Sequence, residues 1–138
     1  MAVGIKLGSI TDEIGTSDFF HAFFSTLAGN LEPKGWGTRF PNLMKKLYAG
    51  ELGQSGASAA LGELDEVCKE LTALPVSKVI WDIDDRCKRP PWREHVADTI
   101  TDLSNYFVTS TGRDLIATLR EVLEELRDNG GVAQIVSY

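Results

Sequence analysis

The sequence predicts an α/β protein of the mixed α+β kind, with one small mixed sheet of three to four strands covered by four to five helices. Two observations lead to this class. Apolar residues recur at helical spacing in several segments, and short runs of branched and aromatic residues lie between those segments. The chain has 138 residues, 43% hydrophobic and 25% charged, so it can bury a core without disulfides or metal. Because no repeat or long linker divides it, we expect a single domain over residues 1–138.

The chain is expected to begin with a strand and a phenylalanine-rich helix. Residues 3–10 alternate loosely between apolar and polar side chains, which suits a short buried strand, and residues 11–16 are expected to form a loop. Thr16 or Ser17 can cap the helix that follows, and Gly29-Asn30 is expected to end it. The apolar face of this helix is expected to lie in the core and consists of Phe19, Phe20, Phe23, Phe24 and Leu27.

Two further helices are predicted in the next segment. Pro41 is a suitable first residue for a short helix over residues 42–48, because a proline at that position loses no helical hydrogen bond. A glycine-containing connection leads to a long helix from about residue 58 to residue 74. Its apolar stripe consists of Leu61, Leu64, Val67, Cys68 and Leu71. On the opposite side lie three acids that we call the acidic helix face: Glu63, Glu66 and Glu70.

A second strand is predicted over residues 77–82, because Val79, Ile80 and Trp81 have branched or aromatic side chains that pack well on a sheet. Acids, bases and a Pro-Pro step follow it. The two prolines remove two backbone donors and fix φ, so we expect residues 83–92, which follow the strand, to form a stiff surface loop. We call this segment the carboxylate loop.

The last third of the chain is expected to contain a short helix over residues 95–105, an extended piece over 106–108, a long helix and a final strand over 132–138. Thr111 and Asp114 match a capping box, in which the hydroxyl caps the helix and the acid reaches back to it. An asparagine and two glycines end the long helix. Its continuous apolar face consists of Leu115, Ile116, Leu119, Val122, Leu123 and Leu126.

The charge of the chain points to particular partners. A formal net charge of -6 and a pI near 4.9 argue against nonspecific nucleic-acid binding, which needs clustered lysine and arginine, and would steer the protein towards a basic partner. Cys68 and Cys87 are not in a CxxC pair, so both are expected to be reduced thiols. The first ten residues have no basic start, long apolar run or cleavage site of a signal peptide, so the expected location is the cytosol, without membrane binding.

A catalytic site has little support in the sequence. No serine lies in a GxSxG elbow, no glycine-rich segment matches a phosphate-binding loop, and no cofactor is expected. Asp82 and Asp84 would project to the same face of the predicted strand and offer oxygen ligands to a metal ion, while Asp85 points away. The alternative hypothesis is therefore a small metal-dependent hydrolase that uses Asp82, Asp84 and His95.

Several motifs together resemble the immunity protein 70 family, and the resemblance spans most of the chain. They are Gly8-Ser9-Ile10-Thr11, Gly35-Trp36-Gly37, Ile80-Trp81-Asp82-Ile83, Pro90-Pro91-Trp92 and the segment of residues 101–109. The resemblance implies a small bacterial, cytosolic protein without catalysis. Such a protein binds and neutralises the toxic C-terminal domain of a polymorphic or contact-dependent growth inhibition toxin, often a nuclease. A generic adaptor that has no toxin partner is a further alternative.

The toxin-binding residues are predicted from physical chemistry, because the motifs that mark a family can be its scaffold. Carboxylates can mimic phosphates towards the basic cleft of a nuclease, and an exposed aromatic side chain can anchor the contact. The favoured site is the carboxylate loop with Asp84, Asp85, Arg89 and Trp92, since its Pro-Pro step limits the entropy lost on binding. The acidic helix face is the second possible contact surface.

Overall fold

Four strands form one sheet in the computed structural model, which describes residues 2–85, 87–90 and 98–137. The strands are β1 (Ala2–Leu7), β2 (Ile10–Thr16), β3 (Glu51–Gly53) and β4 (Val132–Ser137). They lie in the order β2-β1-β4-β3, and each neighbouring pair is antiparallel. The mixed α+β class with one small sheet is confirmed, but the described sheet is antiparallel throughout rather than mixed.

Three long helices and three short ones accompany the sheet in the described ranges. They are α1 (Ser17–Leu31), α2 (Ala57–Leu71), α3 (Leu115–Asn129), a π-helix (Asn42–Leu47) and two 3-10 helices (Gln54–Gly56 and Val76–Lys78). The three long helices and the short helix after Pro41 confirm the sequence prediction. The predicted phenylalanine face of α1 lies in the core, where Phe23 and Phe24 are fully buried and Phe23 packs edge-to-face on Phe107 at 5.2 Å. None of the described helices is long and apolar enough to cross a membrane.

The predicted loop over residues 11–16 was wrong, because those residues form most of β2. A two-residue connection joins β1 to β2, and Gly8 adopts a φ of 63° there, a conformation that favours glycine. Leu7 then pairs with Ile10 in an antiparallel hairpin. Within the described sheet, β2 is an edge strand whose partner is β1, and Ile14 is its fully buried residue. An edge strand needs few apolar residues, so the polar composition of this segment concealed it.

The predicted strand over residues 77–82 was also wrong. The segment forms a 3-10 turn and then runs irregularly against α1. Hydroxyl groups of α1 take the place of a strand partner: the backbone N–H of Ile80 donates to Thr26 Oγ1 at 3.0 Å, and that of Ile83 donates to Ser25 Oγ at 3.1 Å. Because both hydroxyls are fully buried, this contact holds the start of the carboxylate loop on α1.

The capping residue of α3 is Asp114 and not Thr111. The Asp114 carboxylate accepts a hydrogen bond from the backbone N–H of Ala117 at 2.9 Å. The helix starts later because Val108 and Asp114 form a β-bridge that turns residues 109–113 into a tight loop. The bridge agrees with the end of the extended piece predicted over 106–108, but Tyr106 lies in a turn. The predicted helix over 95–105 falls partly outside the described residues, and its described part, 98–105, contains turns and no helix.

Candidate functional site

The start of the carboxylate loop lies against a histidine of α1. His21 Nε2 lies 3.3 Å from Asp82 Oδ1 and 3.7 Å from Asp84 Oδ2. Sixty residues of chain separate the histidine from these acids, and the contact exists because Ser25 and Thr26 of the same helix bind the segment just before the loop. We call His21, Asp82 and Asp84 the His-Asp corner.

Aromatic neighbours hold the ring of His21 in place. Its Nδ1 and the Tyr48 hydroxyl share a hydrogen bond of 2.7 Å. The indole of Trp36 stacks on the imidazole with 6.0 Å between ring centroids. The Nε1–H of Trp36 donates to the Met44 carbonyl at 3.0 Å. Because Nδ1 is engaged with Tyr48, Nε2 is the ring atom that faces the carboxylates.

Asp82 of the corner is stabilised in its charged form by its own turn. Asp82 Oδ1 accepts the backbone N–H of Asp84 at 2.9 Å, and Asp82 Oδ2 lies 3.4 Å from the ammonium group of Lys88. The Asp84 N–H, followed by Lys88 and His21, lowers the pKa of the Asp82 carboxyl below its usual 3.8. Burial, with the nearby charges of Asp84 and Asp82, raises the pKa of the Tyr48 hydroxyl.

The corner offers one nitrogen and two carboxylate oxygens, a set of atoms that can hold a proton or a divalent metal ion. The three ligand atoms all lie within 4.8 Å of one another. The alternative hypothesis named His95 as the third ligand, but His95 falls outside the described residues, and the structure brings His21 to Asp82 and Asp84. The sequence contains no signal for His21, because only the fold of residues 77–83 on α1 joins the two segments.

The predicted toxin-contacting residues of the loop are open to solvent where the structure describes them. The Asp84 side chain is 86% exposed, and Asp85 and Arg89 are also exposed. The turn is held by its own hydrogen bonds: Asp85 N donates to the Asp82 carbonyl at 3.2 Å, and Asp85 Oδ1 accepts from Cys87 N at 3.2 Å. Trp92 lies outside the described residues.

Two acids of the acidic helix face have structural partners. Glu63 accepts hydrogen bonds from the side chain of Asn42 at 2.7 Å and from the backbone N–H of Leu43 at 3.0 Å, so it caps the π-helix. Glu70 forms a two-pronged ion pair with Arg39. Glu66 is exposed, and it adds only a longer-range charge interaction with Arg39. Asp84 and Asp85 are therefore more exposed to solvent than Glu63 and Glu70.

Comparison with protein families matches residues 5–135 of this chain to the family described as Immunity protein 70. Comparisons with curated proteins and with solved structures give no match. The family match covers most of the sheet and the whole carboxylate loop, including every motif on which the resemblance was based. The chain therefore belongs to the immunity protein 70 family, and this membership indicates an immunity protein that acts against a toxin.

Proposed function

We propose that this protein is a cytosolic immunity protein that binds the toxic domain of a polymorphic or contact-dependent growth inhibition toxin and blocks its active site or substrate entry. The observation that carries the proposal is the family match over residues 5–135. Membership also suggests a non-catalytic inhibitor, which acts by binding. We treat residues 1–138 as one domain for this function.

The proposed partner is a nuclease domain with a basic active-site cleft. Nucleases bind phosphates with lysine and arginine, and a carboxylate presents a similar negative charge to such a cleft. The net charge of -6 supports a basic partner. It also opposes direct nucleic-acid binding by the immunity protein itself.

The proposed contact is the carboxylate loop. Asp84 and Asp85 are exposed on a turn that their own hydrogen bonds hold, so little conformational entropy is lost when a partner binds them. Arg89 and Trp92 belong to the same proposed contact, and Trp92 would contribute buried aromatic area. We rank the acidic helix face below this loop, because Glu63 and Glu70 already serve the fold.

The experiment is binding to the toxin domain encoded beside this gene, measured by calorimetry, together with growth after coexpression. Wild-type protein should bind tightly and restore growth. Reversing Asp84 and Asp85 to lysine, or changing Trp92→Ala, should raise the dissociation constant by about tenfold or more, the scale of an interface hot spot.

Glu66→Lys is the matched control, since it reverses an exposed acid outside the loop and should change binding by less than about twofold. Melting curves of each variant separate lost binding from lost folding. Absence of binding and of growth rescue by the wild type would refute the immunity function. Normal binding by the loop variants would refute only the assignment of the loop.

A metal-dependent hydrolase remains the second candidate, and the convergence of His21 with Asp82 and Asp84 is the observation that favours it. In this version His21 takes the role that the sequence assigned to His95. Titration with Mn²⁺ or Zn²⁺ should then release heat that Asp82→Asn abolishes, and the loaded protein should hydrolyse a phosphodiester. A flat titration would eliminate this candidate.

A further inference from the structure

A groove of about 430 Å³ opens between the β1–β2 hairpin and α3. Its floor is apolar and is made by Leu7, Ile10 and Val122. Glycines of the hairpin turn and of the connection from α3 to β4 form part of its wall. None of the residues that line the groove belongs to the carboxylate loop or to the His-Asp corner, so the groove is a separate surface.

The groove is the open end of the hydrophobic core. Leu52 pairs with Ala133, Ala133 with Leu7, and Leu7 with Ile10, and residues directly opposite one another in antiparallel strands share one face of the sheet. This row of four side chains therefore crosses the sheet on the core side. Leu52 and Ala133 are 2% and 0% exposed, whereas Ile10 is 67% exposed. The last member of a core row thus lies uncovered.

This exposure is unusual within the molecule. Three large hydrophobic side chains are exposed in the described ranges, and Ile10 is the most exposed of them. An apolar surface of this kind on an otherwise well-buried fold is typical of a site that another molecule covers.

The rim of the groove is acidic. Asp12, Glu121 and Glu125 line it, and the lining contains no lysine or arginine. Arg113 reaches the rim from outside the lining, where it lies 3.4 Å from Asp12 and pairs with Glu121. Glu125 has a neutral partner, the side-chain amide of Asn129 at 2.8 Å. Three acids against one arginine leave a net negative rim.

From the apolar floor and this rim we infer that the groove is a second toxin-binding surface, which receives an apolar side chain of the toxin flanked by lysine or arginine. A volume of about 430 Å³ is sufficient for a large aromatic or aliphatic anchor, and an anchor in such a pocket is the usual form of an interface hot spot. A second copy of this chain fits poorly, because it would bring its acidic rim against an identical one. The inference rests on the proposed function and extends it to a defined partner chemistry.

The test measures affinity and association rate for the toxin domain encoded beside this gene. Ile10→Ser replaces the exposed apolar side chain of the groove floor with a polar one and should raise the dissociation constant by about tenfold or more. Glu125→Lys reverses the rim charge and should slow association. Each variant has a matched control: Val108→Ser changes an exposed hydrophobic residue outside the groove, and Glu124→Lys reverses an exposed acid on the same helix.

The outcomes separate this inference from the proposed function. Weakened binding by both groove variants, with both controls within about twofold of the wild type, supports the groove. If the wild type binds and neither groove variant weakens binding, the groove is not a toxin-binding surface, and the proposed immunity function is unaffected. Failure of the wild type to bind overturns both. If Ile10→Ser lowers the melting temperature, Glu125→Lys on the solvent side of α3 decides the result.

Discussion

The buried carboxylate of Glu32 organises the loop between α1 and the π-helix. Glu32 is 2% exposed, and its oxygens accept three backbone hydrogen bonds: from Gly37 at 3.0 Å, Arg39 at 3.0 Å and Phe40 at 3.1 Å. Each of these N–H groups would otherwise lack a partner at this point of the loop. This arrangement positions Trp36, which packs on His21 of the His-Asp corner.

We expect Glu32→Ala to lower the free energy of unfolding by at least about 1–3 kcal/mol, because it leaves buried backbone donors unsatisfied. Urea denaturation measures this change. Glu66→Ala is the control, since that side chain is exposed and should stay within about 0.5 kcal/mol of the wild type. Equal stability of the two variants would contradict the structural role of Glu32.

Asp82 makes a pH-dependent contribution to stability. Its pKa in the folded protein is lowered from 3.8, chiefly by the Asp84 N–H and then by Lys88 and His21. A carboxyl with a lowered folded pKa stabilises the fold above its unfolded pKa, and that contribution is lost as the pH falls through the folded value. Stability should therefore decrease below about pH 4.

Asp82→Asn removes this titration, so its stability should depend less steeply on pH below about pH 4 than that of the wild type. Urea denaturation over the acid range is the measurement. Asp128→Asn is the comparison variant. Arg127 lowers the pKa of the Asp128 carboxyl as well, and Asp128 is far from the His-Asp corner in the sequence. Identical acid slopes for wild type and Asp82→Asn would contradict this contribution of Asp82.

At the scale of elements, the contact between α1 and residues 76–83 decides where the carboxylate loop lies. Thr26 Oγ1 accepts the Ile80 N–H and Ser25 Oγ accepts the Ile83 N–H, and Asn30 donates to the Lys78 carbonyl at 2.9 Å. Buried hydroxyls thus do for this segment what a neighbouring strand does for β1. The loop is attached to a helix rather than to the sheet.

Thr26→Val keeps the shape of the side chain and removes this attachment. We expect it to destabilise the protein by about 1–3 kcal/mol and to weaken toxin binding, because the Ile80 N–H loses its acceptor and the loop is no longer held. Thr118→Val is the control: this buried hydroxyl donates to the carbonyl of Asp114, the N-cap of α3, and it accepts no hydrogen bond from a backbone N–H of the described residues. Thermal unfolding and calorimetry of the two variants distinguish them. Equal effects would argue against the attachment.

At the scale of the whole molecule, the net charge of -6 acts through long-range attraction. If the toxin domain is basic, the association rate should fall as salt rises from about 50 to 500 mM, while the dissociation rate changes less, because salt screens charges before contact. Stopped-flow mixing measures both rates. An association rate independent of salt would exclude electrostatic steering, whichever surface makes the contact.

The sequence by itself determined the parts whose signal is local. The apolar face and the stop signal predicted α3 and the place where it ends, since a 3.6-residue repeat and a glycine cap are properties of neighbouring residues. The phenylalanine face of α1 and the α+β class followed in the same way, and the motifs correctly indicated the family. These features can be predicted without knowing which residues make tertiary contacts.

Only the tertiary structure decided the parts that depend on distant partners. Residues 11–16 become a strand because β1 supplies their backbone hydrogen bonds, and residues 77–82 do not become one because hydroxyls of α1 supply theirs. His21 joins Asp82 and Asp84 through that same contact. In each case the partner is far away in sequence, and backbone groups take whichever partner the packed fold brings to them.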